Sequence, residues 1–392
     1  MRAFALGGPP TRPSIMRELY LGLMSGTSLD GVDAVLVDFA PGASPHARPL
    51  EVLAHASRPM PAALGAELLA LNTSGADELH RAALAANALV RLYAQAVHDL
   101  LAEANLPAAQ VRAIGAHGQT LRHRPGAFDG TGYTVQINNG ALLAELTGID
   151  VVADFRSRDV AAGGQGAPLV PAFHRAVFGH GDEAVAVINL GGIANLTAID
   201  AGAGTRGFDC GPGNALMDHW CRRHTGQAFD RDGVWAAGGR VLAPLLDAMQ
   251  AEPYFHLPPP KSTGRDLFNP AWLEAHLAAL PGPSPDARDV QATLAELTAA
   301  SCAAAVAAHA ADARTVLLCG GGALNGQVRR RIAARLPGRA VRLTDEVGLG
   351  VLRVEAAAFA WLAKAFVERQ PGNLVSATGA AGPRVLGALY PA

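Results

Sequence analysis

Asp209 is the strongest candidate for chemistry in this sequence. It lies in the stretch RGFDCGPGN (206–214), whose glycines and proline predict a rigid turn outside regular structure. Asn214 is placed to cap the helix that should follow. A carboxylate held in such a turn can act as a general base while nearby helix amides face a phosphate. The alternative is that the Asp209 carboxylate only caps the turn. The density of Gly and Pro around it favours the catalytic interpretation.

A turn rich in Gly, Ser and Thr near the N-terminus could hold phosphate. In LGLMSGTSLDGVDAVLVD (21–38), two apolar segments suited to strands flank a short connection whose backbone N–H groups can face an anion. An ordinary hairpin turn is equally compatible with this segment alone. Asp30 or Asp33 could organise a hydrated Mg²⁺ ion, which prefers oxygen ligands. The candidate phosphate contacts are Ser25, Gly26, Thr27, Ser28, Leu29, Asp30, Gly31 and Val32.

Two later segments repeat this design and weigh against an ordinary hairpin. VAVINLGGIANLTAID (185–200) predicts a second hairpin with a glycine turn. VLLCGGGALN (316–325) reads as a strand, a glycine turn and the start of a helix, an order that suits nucleotide contact. The further candidate nucleotide contacts are Gly191, Gly192, Asn195, Gly320, Gly321, Gly322 and Asn325.

Length and composition set loose limits on the class of protein. The chain has 392 residues, half of them apolar, which predicts two or three domains with sizeable cores. A net charge of −2 and a pI near 6.7 provide no field for collecting nucleic acid or an anionic membrane. The four cysteines lack metal-site spacing, so we expect reduced, mostly buried thiols. No apolar run nears the roughly 20 residues that span a bilayer, which predicts a soluble chain.

The elements that must position these residues alternate between helices and strands, which favours an α/β fold. The first half predicts a helix at 81–104, strands at 111–115 and 134–137, and a helix at 171–178. The second half predicts helices within 289–313, at 325–336 and at 354–367, with strands at 315–318 and 340–343. Residues 1–16 predict a disordered extension, with Met16 as a possible start.

Two polar loops add candidates for substrate contact. Arg156, Arg158 and Asp159 follow a predicted strand and could hold an anionic group, or could brace the loop by ion pairs. Lys261 and Arg265 lie in PPPKSTGRDLF (258–268), for which a solvated insert is the favoured interpretation.

The two hairpins and the late glycine turn resemble the phosphate and adenosine segments of the superfamily of actin, sugar kinases and heat-shock chaperone ATPases. That resemblance implies an α/β, two-lobed fold of ribonuclease H-like domains with the active site in the cleft between lobes. The implied N-terminal lobe is 17–152 plus 368–392, and the implied C-terminal lobe is 153–367.

Eight blocks in order support a narrower resemblance, to the anhydro-N-acetylmuramic acid kinase family. The blocks are GLMSGTSLDGVD (22–33), AHGQT (116–120), GGQGAPLVPAFH (163–174), NLGGIANLT (189–197), GFDCGPGN (207–214), PKSTGR (260–265), DVQATLAELTA (289–299) and CGGG (319–322). The resemblance implies conversion of 1,6-anhydro-N-acetylmuramic acid, ATP and water to N-acetylmuramic acid 6-phosphate and ADP, in peptidoglycan recycling. It also implies a cytoplasmic homodimer and Mg²⁺ held through ATP and water.

By the same resemblance, Asp209 is the base, and Thr120, Arg156 and Glu355 contact the sugar. From sequence alone, a Glu near a helix start usually only complements the helix dipole. The family commonly has three consecutive arginines after the strand, whereas this chain has Ser157 in the middle, which predicts weaker substrate binding. A nucleotide-driven binding protein and a kinase for an ordinary sugar remain the alternatives.

Overall fold

The computed structural model describes residues 17–26, 28–39, 49–179, 183–202, 204–264 and 266–392. The extension predicted at 1–16 lies outside this part of the chain, as do the candidate residues Thr27 and Arg265.

The strands are β1 (Leu19–Met24), β2 (Gly31–Asp38), β3 (Glu51–Pro59), β4 (Val111–Ala116), β5 (Gln119–Pro125), β6 (Gly132–Ile137), β7 (Val151–Ala153), β8 (Val185–Leu190), β9 (Ile193–Ile199), β10 (Thr205–Pro212), β11 (Thr315–Cys319), β12 (Ala340–Leu343) and β13 (Ala388–Tyr390).

The helices are α1 (Ala62–Ala70), α2 (Glu78–Glu103), α3 (Gly140–Thr147), α4 (Ser157–Ala161), α5 (Val170–Phe178), α6 (Ala215–Thr225), α7 (Val234–Ala237), α8 (Ala243–Gln250), α9 (Pro253–His256), α10 (Pro270–Ala278), α11 (Ala287–His309), α12 (Gly326–Arg335), α13 (Val354–Val367) and α14 (Val375–Thr378). Short 3₁₀ turns cover Ala108–Gln110, Arg231–Gly233, Gly321–Leu324 and Thr344–Val347.

Two large sheets share one strand order. The first runs β3-β2-β1-β4-β7, with β13 added at the β7 edge, and the second runs β10-β9-β8-β11-β12. In each sheet the first three strands of this order form an antiparallel meander. The next two strands are parallel to the neighbouring meander strand, β1 in the first sheet and β8 in the second. This repeated arrangement is that of paired ribonuclease H-like units and confirms the predicted two-unit α/β fold class. The small sheet β5–β6 stands apart from both.

Helix α13 joins the two sheets into one core. One apolar cluster contains this helix together with Tyr20 and Val35 of the first sheet and Val187 and Leu317 of the second. Because buried apolar surface stabilises the folded chain in proportion to its area, this shared cluster holds the sheets together. The division into lobes at 152/153 and 367/368 stays a prediction, and α13 makes its closest packing on β1, β2 and β4 of the first sheet.

Two glycines allow α13 to approach the first sheet closely. Gly22 and Gly115 are partners in the β1–β4 register. A Cβ at Gly22 would lie 1.8 Å from the carbonyl oxygen of Ala356, and one at Gly115 would lie 1.9 Å from that of Phe359. A side chain at either position would therefore push the helix off the sheet.

Helix α11 is the central helix of the second half. In the part of the chain that is described, it alone is long and apolar enough to cross a membrane, and 78% of its apolar window is buried inside the protein. It packs against α6, α7, α8 and α12 and against β9 and β10. These contacts make it a core helix.

Most predicted elements are present with small shifts at their ends. The helix predicted at 81–104 is α2, and the helix predicted at 354–367 is α13. The prediction missed β3 and α1, in an interval interpreted as polar and Pro-rich, and missed the short helix α4 in the arginine loop. It also contained no element at β5, α3, α8 or α10. All four cysteines are free and buried, as predicted.

Candidate active site

Asp209 lies in strand β10, so the prediction of a turn outside regular structure was wrong. Its partner across the ladder is Asn195 of β9, and the register shifts between Asp209 and Gly211. The glycines that suggested a turn serve close packing instead: a Cβ at Gly207 would meet the ring of Pro171 at 2.3 Å. Asp209 thus lies directly before an irregularity of the strand, a feature often found beside active sites.

The loop before α10 surrounds the Asp209 carboxylate. The backbone N–H of Thr263 donates to Oδ2 at 3.0 Å, while the backbone N–H of Asp209 donates to the carbonyl of Lys261 at 3.2 Å. The hydroxyl of Tyr254 donates to the carbonyl of Asp209 at 2.8 Å. Burial raises the pKa of Asp209 to about 7, against the opposing effects of the Thr263 N–H and the charges of Arg156 and Lys261.

Lys261 is buried beside Asp209, which contradicts the prediction of a solvated insert. Its side chain is 9% exposed, and its ammonium donates to backbone carbonyls of Tyr254 and Phe255. Burial lowers the pKa of Lys261, while the acidic groups Cys210 and Asp209 oppose that shift. The loop 258–264 is therefore part of the site.

Arg156 occupies the centre of the site. It donates from Nε and Nη2 to Nε2 of His117, at 3.2 and 3.0 Å, and from Nη1 to the carbonyl of Gly166 at 2.8 Å. Burial lowers the pKa of this guanidinium, and the carboxylates of Asp209 and Glu355 act against that change. Burial and the nearby arginine lower the pKa of His117 to about 3, so the imidazole is a neutral acceptor.

Glu355 is the second acidic side chain of this site. It lies in the first turn of α13, and Nδ2 of Asn189 donates to its Oε1 at 3.2 Å. Burial raises the pKa of Glu355; the Asn189 contact and Arg156 lower it, and Asp33 and Asp30 raise it. Its surroundings thus go beyond the helix-dipole role that sequence alone favoured.

Arg158 and Asp159, which follow Arg156 in the same loop, have different environments. Arg158 is exposed, whereas Asp159 is fully buried. The Asp159 carboxylate accepts from the backbone N–H of Gly166 at 2.8 Å, from Asn373 at 2.7 Å and from Thr378 at 2.8 Å. Asp159 therefore braces the loop against the C-terminal segment, by hydrogen bonds rather than the ion pairs considered from the sequence.

Thr120 lies in β5 at the base of the small sheet. Its Oγ1 accepts from Nε2 of Gln136, the neighbour in β6, at 3.3 Å. The preceding Gln119 donates from Nε2 to the carbonyl of Gly26 at 3.2 Å. The strand that carries Thr120 is thereby attached to the first glycine turn.

The first glycine turn connects β1 and β2 as predicted. Ser25 is buried, donates to the carbonyl of Gly118 at 3.1 Å and accepts from the hydroxyl of Tyr93 at 3.1 Å. The Ser28 hydroxyl donates to Asp30 at 2.7 Å, and Leu29 has a positive φ of 58°. Gly31 and Val32 already belong to β2. The hydroxyl of Ser25 is thus engaged within the protein, and ligand contact by this turn would fall to its backbone.

The second glycine turn packs on the start of α6. Carbonyls of Gly191 and Gly192 accept from the backbone of Asn214, Gly213 and Ala215. Asn214 occupies the N-cap position of α6, as predicted, but its side chain makes no capping hydrogen bond. Its Nδ2 donates to the carbonyl of Leu190 at 3.0 Å instead. Among the described residues, the buried Oδ1 of Asn195 has no hydrogen-bond partner.

The third glycine turn abuts the second. A Cβ at Gly320 would lie 2.4 Å from Oδ1 of Asn189, and one at Gly322 would lie 2.5 Å from Oδ1 of Asn214. Gly321 begins the 3₁₀ turn that follows. Asn325 caps α12 by accepting from two backbone N–H groups, which occupies its side chain. The two glycine turns therefore form one continuous wall at the ends of β8 and β11.

Sequence reasoning missed several residues of the site. His117 and Asn189 stood inside quoted blocks and were given no role, although they hold Arg156 and Glu355. Thr263 acts through its backbone, which no side-chain pattern reveals. Lys261 was named as a candidate, and its rarity, as one of only two lysines in the chain, was a signal against the solvated interpretation.

Comparison with known proteins gives consistent matches. A family model described as Anhydro-N-acetylmuramic acid kinase matches residues 18–392. A protein of that name from Variovorax paradoxus is 62% identical over 380 residues, covering 96% of this chain and 99% of the relative. One from Cupriavidus pinatubonensis is 60% identical over 375 residues, covering 95% and 98%. The solved structure of Acidaminococcus fermentans (R)-2-hydroxyglutaryl-CoA dehydratase component A matches at TM-score 0.47 and 11% identity, covering 88% and 96% of the two chains.

Proposed function

This chain belongs to the anhydro-N-acetylmuramic acid kinase family, and from that membership we propose that it converts 1,6-anhydro-N-acetylmuramic acid, ATP and water to N-acetylmuramic acid 6-phosphate and ADP. The observation that carries the proposal is the buried Asp209 carboxylate, whose pKa of about 7 matches the task of a general base near neutral pH. The reaction belongs to peptidoglycan recycling.

Asp209 accepts a proton from the water that attacks the anomeric carbon. The new C1–O bond forms as the C1–O6 bond breaks, and O6 takes up the γ-phosphoryl group of ATP while ADP leaves. The Thr263 N–H fixes one carboxylate oxygen at 3.0 Å, which orients the base toward the incoming water. One water must be admitted and others excluded, so this orientation decides between sugar phosphorylation and wasted ATP.

Arg156, Thr120 and Glu355 bind the sugar. Arg156 is the cation of the site that lies between two carboxylates, and it suits the negative charge of the substrate's lactyl carboxylate. Glu355 can accept hydrogen bonds from sugar hydroxyls, and its contact with Asn189 fixes its orientation. Thr120 offers a hydroxyl at the edge of the small sheet.

The three glycine turns bind the nucleotide. Residues 25, 26 and 28–32 face the phosphates, and Gly191, Gly192 and Asn195 with the wall at 320–322 hold the remaining nucleotide. The buried, unpartnered Oδ1 of Asn195 is an acceptor that a ligand or ordered water can satisfy. Asn325 supports this wall by capping α12.

Asp30 and Asp33 suit a Mg²⁺ ion carried by the phosphates. After burial, the charges of Asp33 in β2 and Asp30 in the first turn contribute to raising the pKa of Glu355. Mg²⁺ usually takes one or two carboxylates and keeps several waters. When bound, it would neutralise charge on the transferred phosphoryl group.

Lobe closure, a cytoplasmic location and a homodimer complete the proposal. The lobes 17–152 plus 368–392 and 153–367 would close over the ligands to align O6 with phosphorus. The homodimer rests on the family resemblance, and light scattering behind size exclusion measures it directly.

The deciding experiment follows the oxygen of water. The protein is incubated with ATP, Mg²⁺ and 1,6-anhydro-N-acetylmuramic acid in ¹⁸O-labelled water, and the product is analysed by mass spectrometry. We expect a sugar phosphate with the label at C1. A parallel incubation contains free N-acetylmuramic acid in place of the anhydro sugar. Phosphorylation in that incubation only would indicate an ordinary sugar kinase. ATP hydrolysis without any sugar phosphate would indicate a nucleotide-driven binding protein.

A further inference from the structure

Lysine is rare in this chain, and its two positions differ sharply. The sequence has 32 basic residues, of which only Lys261 and Lys364 are lysines. Lys364 lies on α13 and forms ion pairs with Glu18, at 2.9 Å, and with Glu368. Lys261 has no carboxylate oxygen within 4 Å of its ammonium among the residues that the structure describes. A chain that meets almost every need for positive charge with arginine thus keeps a lysine in an unusual buried site.

Backbone carbonyls and aromatic rings hold the Lys261 ammonium. It donates to the carbonyl of Tyr254 at 3.0 Å and to that of Phe255 at 3.2 Å. It also lies 4.7 Å from the ring centre of Tyr254 and 5.7 Å from that of Phe208. Such contacts stabilise a cation without neutralising it. The positive charge is therefore fixed in place without a direct ion pair.

The same segments bind the backbone around Asp209. The carbonyl of Lys261 accepts from the N–H of Asp209, and the N–H of Thr263 donates to its carboxylate. The Tyr254 hydroxyl donates to the Asp209 carbonyl. Lys261 thus ties the end of α9 to the loop that orients the base.

We propose that Lys261 is a positioning residue for the reaction: its ammonium, held off the Asp209 carboxylate by two carbonyls, keeps that carboxylate in its proton-accepting form. This inference rests on the function proposed above, in which Asp209 is the base. A direct ion pair would bind the carboxylate oxygens and weaken their basicity. A charge fixed nearby favours the ionised form and leaves Oδ1, the oxygen that Thr263 does not hold, available to water.

Other ionisable groups also face this region. Arg156 acts on Asp209 from the other side, and Tyr254 and Cys210 flank it. His309 of α11 packs on Phe208, and burial lowers its pKa, with smaller contributions from the charges of Arg206 and Lys261. An experiment on pH dependence must therefore separate Asp209 from His309 as well as from Glu355.

Arginine would keep the positive charge of Lys261 but would not match its shape. Its planar guanidinium has donors in a fixed fork, whereas the ammonium is compact and points three donors freely. Lys261→Arg therefore retains the charge, and Lys261→Gln retains amide donors for the two carbonyls while removing it. The pair separates electrostatics from local structure.

The experiment measures kcat/KM from pH 5 to 9 for wild type, Lys261→Gln and Lys261→Arg. The acid limb is the part of the profile in which kcat/KM falls as the pH is lowered. In Lys261→Gln, removal of the charge should move the midpoint of this limb upward by about one pH unit. Its loss relative to wild type would then be about tenfold greater at pH 6 than at pH 9. Lys261→Arg should keep the acid limb near that of wild type.

Two controls make the result specific. Lys364→Met removes the other lysine, and His309→Gln removes the other nearby titrating group; both should leave the acid limb unchanged. Thermal melting shows whether Lys261→Gln is folded, and if it is not, Lys261→Met takes its place. If neither variant folds, a moved acid limb in Lys261→Arg overturns the proposal.

An unmoved acid limb in a folded, uncharged variant also overturns it. That outcome differs from a failure of the proposed function, which would show as substantial turnover by Asp209→Asn.

Discussion

The backbone N–H of Thr263 donates to Oδ2 of Asp209 at 3.0 Å. A backbone donor keeps its place when side chains change, so the orientation of this carboxylate depends on the path of the 258–264 loop. Lys261 anchors that loop at one end through the carbonyls of Tyr254 and Phe255. The base and the loop therefore form one unit.

Asp209→Asn should abolish nearly all turnover while leaving ATP binding intact. The amide keeps an oxygen that can accept from Thr263, but it cannot take a proton from water. We expect kcat to fall by about 100-fold or more. An ADP-release assay measures turnover, and calorimetry measures ATP affinity. Asp200→Asn, at an exposed carboxylate paired with Arg206, is the matched control and should keep full activity.

Activity should fall as the pH drops through about 7. Asp209 must be ionised to accept a proton, and burial raises its pKa to about 7. On the acid side, kcat/KM at pH 6 should therefore be about one tenth of the plateau value. A profile that stays flat down to pH 5 would exclude Asp209 as the titrating base.

Asp209→Asn should also raise thermal stability at high pH. The folded-state pKa of Asp209, about 7, lies above its ordinary value of 3.8, so the folded chain holds this proton more tightly. The stability linked to that proton is present below about pH 4 and is lost as pH rises to about 7. The gain in Tm over wild type should thus be larger at pH 8 than at pH 5; equal gains would contradict the shift.

Asp159→Ala should destabilise the fold. The buried carboxylate accepts from Gly166, Asn373 and Thr378. Its removal takes the acceptor from the Gly166 N–H and leaves the other two donors only their longer contacts, at 3.4 Å, with backbone carbonyls. We expect the free energy of unfolding to fall by about 3 kcal/mol. Chemical denaturation measures the loss, and Asp200→Ala at the surface serves as the control. A loss no larger than that of the control would contradict the bracing role.

Ser157→Arg should lower the KM for the sugar. Ser157 stands where the family commonly has the middle of three arginines, and here its hydroxyl donates to Asp154 at the start of α4. An added guanidinium beside Arg156 could grip an anionic group of the substrate. Steady-state kinetics at saturating ATP measure KM, with Arg158→Ser as a comparison. An unchanged or higher KM for Ser157→Arg would count against this role.

Much of the fold could be predicted because its signals are local. The two hairpins, the glycine turn after β11 and the helices α2 and α13 all show clear periodicity. Strand β3 was missed because its residues alternate only weakly between buried and exposed. The membership in the kinase family, inferred from eight blocks, is confirmed by the family model over 18–392.

The site was harder to predict because its contacts are made by backbone and by distant residues. Gly and Pro around Asp209 suggested a turn, yet they allow packing within a strand. The amide of Asn189 reaches Glu355 across 166 positions of sequence, and no local pattern indicates such a pair. Lys261 looked solvated because its neighbours are polar, whereas carbonyls and aromatic rings enclose it.

The close contact of α13 with Gly22 and Gly115, where the strands carry no side chain, has a consequence for genetics. Any larger residue there must displace the helix that carries Glu355. The atoms in the way are backbone atoms of Ala356, Ala360 and Phe359 and the Cβ of Ala363, so no side-chain rearrangement alone could make room. A mutational survey would score these two glycines as intolerant as the acids of the active site. Substrate kinetics alone would not separate the two groups, but the amount of folded protein in the cell would.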